Sequence, residues 1–195
     1  MNKLKLSSLI IITILITQLS SCAVVAIGTA ALAVTDRRTT GAIIDDQKIE
    51  VESISKLSRE DSLDKNTHFK VVSYNRIVLL GGEVFDENAR SNAEQVVLSV
   101  NGVDRVINEL AILEPSSIST RSHDSYLTAK VKTAMFRVEA ESFDPSRIKI
   151  VTIRGIVYLM GILTQQETAE VVEIARNIKG VKEVVKVLEY IELNR

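Results

Sequence analysis

A single cysteine, Cys22, follows Leu19-Ser20-Ser21 and precedes Ala23-Val24-Val25. As a thiolate its sulfur is a nucleophile, and the small residues ahead of it suit a peptidase cleft. With one cysteine the chain can form no internal disulfide, and its stability must come from packed cores. The two histidines, His68 and His123, stand far apart in the sequence. A metal site usually needs three or four ligands including His or Cys, so no metal and no cofactor is expected. There is no G-x-S-x-G elbow and no phosphate-loop pattern, and no catalytic residue is assigned. Asp45-Asp46 reads as an N-terminal cap and dipole partner of a helix rather than a catalytic pair.

A second pattern suits binding rather than catalysis. Tyr126, Lys130, Thr133 and Arg137 fall at i, i+4, i+7 and i+11, one stripe of a helix. Leu127 and Val131 lie close by at its base. Residues 121–138 carry Arg121, Lys130, Lys132 and Arg137 against Asp124 alone, net +3. An amphipathic aromatic beside cations suits a phospholipid headgroup layer; a solvated helix face is the alternative. Charge also splits along the chain. Residues 44–114 hold 8 Lys and Arg against 14 Asp and Glu, net −6, whereas residues 121–195 hold 12 against 10, net +2. Only the second half would be drawn to an anionic surface. A mature chain without basic excess argues against nucleic acid.

The elements that must position these residues follow from the pattern. Met1–Lys5 is basic, Leu9–Ile16 is a short apolar run, and small polar residues lead to Cys22, the layout of a secretory signal. An uncleaved helix running on through Ala23–Val34 is the alternative, interrupted by Gln18, Ser20 and Ser21. Leu19-Ser20-Ser21-Cys22 resembles a bacterial lipobox. That resemblance implies a signal peptide over 1–21, a Cys22 carrying three acyl chains, a tether over 22–43, and, with Ala23 after the cysteine, sorting to the outer membrane.

The rest of the chain repeats itself. IVLLGG at 77–82 answers IVYLMG at 156–161, and Asn101-Gly102-Val103 answers Lys179-Gly180-Val181. A period near 79 is a duplicated small domain, not a solenoid. Each copy reads as helix, strand, strand, helix, strand. In the first, helix is predicted from about Gln47 to Ser58 and over Glu87–Val100, and strands at Phe69–Ser73, Ile77–Val84 and Val103–Leu113. In the second, helix is predicted over Tyr126–Arg137, and strands over Arg147–Ile153, Ile156–Leu163 and Val181–Ile191. Thr164 and Glu167 form a capping box for the remaining helix, and Arg154-Gly155 is a tight turn. The domains are expected at 44–114 and 122–195, joined by a linker at 115–121. The class is α+β, two helices covering one face of a three-stranded mixed sheet in each copy.

The glycine-ended hairpin, the helix closing on Gly-Val and the start Asp124-x-Tyr126-Leu127-Thr128-x-Lys130-Val131 resemble the BON domain. With the lipobox, Thr35-Asp36…Arg38 and Asp45-Asp46, the whole chain resembles the dual-BON-domain outer-membrane lipoproteins. The resemblance implies a lipid-anchored protein on the periplasmic face of the outer membrane, without enzymatic activity. It implies anionic phospholipid binding through the second domain, by Tyr126, Leu127, Lys130, Val131, Thr133 and Arg137, in support of envelope integrity. Tyr126 stands where the family's lipid-binding helix can carry tryptophan. Two other readings stay open: a protein-interaction module docking on an outer-membrane assembly machine, and a structural periplasmic protein with no specific ligand.

Overall fold

The computed structural model describes residues 36–63, 67–140 and 143–192. The leader, the Cys22 acylation site and most of the tether lie outside the described residues. Helix α1 (Thr40–Arg59) starts well before the expected Gln47, because Thr39 accepts a hydrogen bond from Ala42 N and caps it there. The end of the expected tether, residues 40–43, is therefore its first turn. Asp46, expected as a cap, sits inside this helix and is buried. It shares one helix face with Ile49, Ser53 and Leu57.

Strands β1 (Phe69–Tyr74) and β2 (Ile77–Val84) form an antiparallel hairpin turning at Asn75-Arg76, both with positive φ. Helix α2 (Glu87–Leu98), capped by Asp86, crosses over to β3 (Arg105–Ile112), which pairs parallel to β2. The second copy repeats this with α3 (Ile118–Ala134), β4 (Ile148–Ile153), β5 (Ile156–Leu163), α4 (Gln165–Arg176) and β6 (Glu183–Tyr190). Its sheet order β4-β5-β6 matches β1-β2-β3. The Thr164–Glu167 capping box is present as expected.

Every residue of β2 is buried. Helices cover one face of each sheet. The first core joins Ile49, Leu57, Val78, Leu80 and Val97; the second joins Val131, Met135, Val157, Leu159 and Val171. The opposite faces meet each other. Val72, Tyr74, Ile77 and Leu79 pack against Val151, Ile153, Tyr158, Met160 and Val187. The result is helices, sheet, sheet, helices, all within the single compact unit formed by residues 37–195. This explains why Ile77–Leu80 of β2 and Ile156–Met160 of β5 are continuous apolar runs rather than alternating ones.

The seam is reciprocal. Lys70 Nζ donates to Thr152 O at 3.1 Å, and Lys149 Nζ donates to Ser73 O at 3.1 Å. These pairs are equivalent by the repeat, so the copies meet as two halves of an isologous contact. The seam also absorbs opposite charge. Glu50 pairs with Lys149 at 2.6 Å, and Glu83 with Arg154 at 3.2 Å. The Tyr158 hydroxyl donates to Glu109 Oε2 at 3.2 Å; burial, then the Glu109 charge and hydrogen bond, push its pKa up. Part of the acidic–basic split along the chain is therefore spent between the copies.

Two adjacent arginines clasp both copies from the chain leading into α1. Arg38 lies 3.8 Å over the Tyr74 ring and pairs with Asp46 at 2.7 Å. Arg37 reaches the other copy, donating to both Glu167 oxygens at 2.6 and 2.9 Å and to Ile162 O at 2.8 Å. Burial alone would raise the Glu167 pKa. The Arg37 and Thr164 hydrogen bonds and the charges of Arg37 and Arg147 outweigh it and hold the carboxyl below its ordinary 4.5. A depressed folded value means that the stabilisation is present above pH 4.5 and is lost as pH falls through the folded value. Glu167→Gln is expected to lower stability at pH 7 and to flatten the acid side of the profile, read by thermal unfolding between pH 3 and 7.

Candidate functional site

Helix α3 begins at Ile118, inside the expected linker, because the Ser117 side chain accepts from Thr120 N. It extends two turns further upstream than the spacing around Tyr126 predicts. Asp124 pins it to the second hairpin, accepting from Arg154 N at 2.7 Å and Gly155 N at 2.9 Å. Thr128 Oγ1 donates to Thr152 Oγ1 at 2.8 Å. Asp46 plays the same part in the first copy, accepting from Asn75 N and Arg76 N. Each copy thus ties its first helix to its own hairpin through one buried aspartate. The sequence did hold the signal: Asp46 and Asp124 are 78 residues apart.

The expected site residues divide into two sets. Leu127 and Val131 are only 1% and 0% exposed. They are corrected from lipid contacts to core residues, since their side chains point at the sheet and no headgroup can meet them. Tyr126 is 62% exposed, Thr133 and Arg137 are exposed, and Lys130 is half-buried. Lys130 Nζ lies 5.6 Å from the Tyr126 ring centroid and donates to Lys179 O at 3.0 Å. The Thr133 hydroxyl donates back to Ala129 O at 2.9 Å. Arg137 belongs to a 3₁₀ turn, Met135–Arg137, rather than to the helix proper.

Two residues on this face are missing from the expected set. Phe136 is 78% exposed and Ile118 is 74% exposed. Ile118, Ser122 and Ala129 share one azimuth of the helix, and exposed Phe136 follows in the 3₁₀ turn at its end. Ile118 was hidden by reading its segment as linker; Phe136 could have been found from its helical phase opposite Leu127 and Val131. Tyr126 and Thr133 border the same line. Lys130 and Arg137 flank it on one side, and Arg121 and Lys132 on the other. The outer face of α3 is an apolar-to-hydroxyl ridge between two rows of cations.

The matching face of α1 differs. Its equivalents are Lys48, Glu52, Ser55 and Arg59. Lys48 approaches Asp45 at 3.9 Å, and Glu52 takes Lys56 at 3.3 Å. No aromatic stands there, and the charges close on one another. Among the described residues, no group of three or more His, Cys, Asp or Glu side chains converges as for a metal. No helix there is long and apolar enough to cross a membrane.

Two αββαβ units packed sheet to sheet, one of them bearing this ridge, are the architecture of a tandem BON-domain protein. The BON domain model matches residues 45–114 and 123–192, and the chain belongs to that family. It is 35% identical over 180 residues to outer membrane lipoprotein DolP of Haemophilus influenzae, covering 89% of this chain and 91% of that one. It is also 29% identical to the 21 kDa hemolysin of Actinobacillus pleuropneumoniae, covering 80% of each. To the osmotically-inducible protein Y of Escherichia coli it is 28% identical, covering 74% and 72%.

Proposed function

We propose that this chain is a non-catalytic lipoprotein, held at the periplasmic face of the outer membrane by acyl chains on Cys22. Its second BON domain docks on anionic phospholipid and so supports envelope integrity. The single observation that carries the reading is the exposed Ile118–Tyr126–Phe136 ridge flanked by cations. The name of the Haemophilus relative supports the anchoring and the location.

The physics is that of an interfacial helix. Apolar and phenolic side chains enter the headgroup boundary, and each nearby Lys or Arg adds about 1 kcal/mol on an anionic bilayer. These contacts are individually weak. Arg37, fixed to Glu167, lies 15 residues beyond Cys22, which covalent geometry limits to about 50 Å. An acylated Cys22 therefore keeps the ridge at high effective concentration near the bilayer. More than one acyl chain makes that anchor stable.

Residues 37–195 close their packing within themselves, so they serve as a soluble test piece. Sedimented with phosphatidylglycerol vesicles, they are expected to bind, with recovery falling as salt rises. They should bind phosphatidylcholine vesicles poorly. Tyr126→Ala with Phe136→Ala, and separately Lys130→Glu with Arg137→Glu, should each reduce binding about tenfold or more. Equal recovery on both lipids, or unchanged recovery of the variants, would refute lipid docking.

A second reading has one observation in its favour. Helix α1 exposes Ile44, Val51 and Ile54, apolar surface that a protein of an outer-membrane assembly machine could cover. Site-specific crosslinking in cells decides: a dominant protein adduct from both α1 and positions 126–137 favours that reading, whereas lipid adducts from 126–137 favour the first.

A further inference from the structure

Beside the ridge, on the flank of α3 that faces the first copy, a cleft of about 280 Å³ opens between the two domains. The first copy gives it His68, Lys70 and Glu83; the second gives Arg121, Asp124 and Ser125. Resting on the lipid-docking reading above, we infer that this cleft is a headgroup site. In it Lys70 and Arg121 bind the phosphodiester of a phospholipid, and a donor at the far end of the headgroup, a glycerol hydroxyl, meets Glu83.

The two acidic side chains do not cancel the cations, because Arg154 offsets Glu83: Lys70, Arg121 and Arg154 stand against Asp124 and Glu83, net +1. Both Asp124 oxygens are taken by the backbone amides of Arg154 and Gly155, which hold the carboxylate in place without neutralising it. Glu83 Oε1 is paired with Arg154. Lys70 Nζ spends one of its three donors on Thr152 O, and Arg121 spends a guanidinium donor on Ser116 O. Both have donors left for phosphate oxygens. Burial pushes the Lys70 pKa down; the charge of Asp124 opposes this, and that of Lys132 adds to it. A bound anion would compensate a half-buried ammonium of this kind.

Glu83 supplies the second half of the argument. It is 2% exposed, and its Oε2 has no hydrogen-bond partner. Buried carboxylate oxygens are almost always satisfied, so Oε2 is an unpartnered acceptor beside a cationic mouth. A plain phosphate fills the mouth only. A phosphoglycerol arm offers an anionic centre and, a few bonds away, hydroxyl donors. The cleft has the volume of about nine water molecules, enough for such a group. Position completes the case. Ser125 lies one turn from Ser122 and Ala129 on the ridge, so a bilayer resting on α3 brings headgroups to the cleft's edge. The acidic first copy then takes part in lipid recognition through Lys70.

The test uses residues 37–195 as wild type, Lys70→Gln, Arg121→Gln, the double variant, and Arg121→Lys. Binding is measured by flotation with vesicles of phosphatidylglycerol in phosphatidylcholine, and with phosphatidic acid at matched charge. Backbone amide shifts are followed on adding glycerophosphoglycerol or inorganic phosphate. At about fivefold per cation, the double variant should lose roughly tenfold or more on phosphatidylglycerol, with Arg121→Lys recovering most of it. Glycerophosphoglycerol should shift amides near His68–Lys70 and Arg121–Ser125 at lower concentration than phosphate does, and phosphatidic acid should bind less well than phosphatidylglycerol. If the ridge variants lose binding but the double variant stays within twofold of wild type, the cleft assignment falls and lipid docking stands. If wild type binds no anionic vesicle, both fall. If phosphate matches glycerophosphoglycerol and the vesicle data do not move, the cleft is a free-anion site and the headgroup assignment is overturned. Should Lys70→Gln unfold, the Arg121→Gln and Arg121→Lys pair carries the same decision.

Discussion

Asp46→Ala is expected to lower stability by about 3–5 kcal/mol, while the adjacent Asp45→Ala costs less than about 1 kcal/mol. The two carboxylates share a sequence motif and nothing else. Asp46 is buried and accepts from the Ser73 hydroxyl at 2.6 Å, Asn75 N at 2.8 Å, Arg76 N at 2.9 Å and the Arg38 guanidinium at 2.7 Å. Truncation leaves two turn amides without an acceptor, both on residues already held at positive φ. It also removes the Asp46 carboxylate from the Arg38 guanidinium over Tyr74. Asp45 instead makes exposed pairs with Lys48 and Arg76. For a unit of this size, the loss at Asp46 is a drop in Tm of about 10 °C or more. Calorimetry on both variants checks it; equal melting temperatures would show that the helix-to-hairpin tie carries no weight.

The second large effect is expected at Gly82→Ala. Gly82 has φ +126°, and a methyl placed there would lie 2.0 Å from His68 O. The obstacle is backbone, paired across β1–β2 next to Phe69, so no side-chain rotation relieves it. Backbone strain and the clash together should cost about 3 kcal/mol or more and open the hairpin beside the interdomain cleft. Gly102→Ala is the control. It also has positive φ, at +92°, but its methyl would meet only the Ile49 side chain, at 3.5 Å from Cδ1 and 3.9 Å from Cγ1. Its cost is the conformational term alone, about 1 kcal/mol. Amide exchange across β1 and β2 should rise in the first variant and stay near wild type in the second.

The sequence revealed these positions unequally. Gly82 and Gly161 stand in strands, where glycine marks close backbone approach, and both fit that rule: a methyl at Gly161 would lie 2.8 Å from Arg147 O. The capping box at Thr164 was legible because its two partners are three residues apart. Asp46 was legible as the repeat counterpart of Asp124, but its hairpin partners were not, because they lie 27 or more residues away. The start of α3 was misread because Ser116-Ser117 looks like linker chemistry, and serine serves linkers and N-caps equally well. That misreading hid Ile118, and with it the full length of the exposed ridge.

What the sequence determined by itself is local and periodic: two αββαβ copies, the strands of each hairpin, and the cationic stripe through Tyr126, Lys130, Thr133 and Arg137. These follow from residues close in the chain, whose spacing is fixed by helix and strand geometry. Only the tertiary structure decided that the two sheets pack face to face, that Arg37 and Arg38 clasp both copies, and that Lys70 of one copy stands across a cleft from Arg121 of the other. Those arrangements depend on apolar faces and charges from distant segments meeting. A repeat pattern shows that each sheet has a second apolar face but cannot name what buries it.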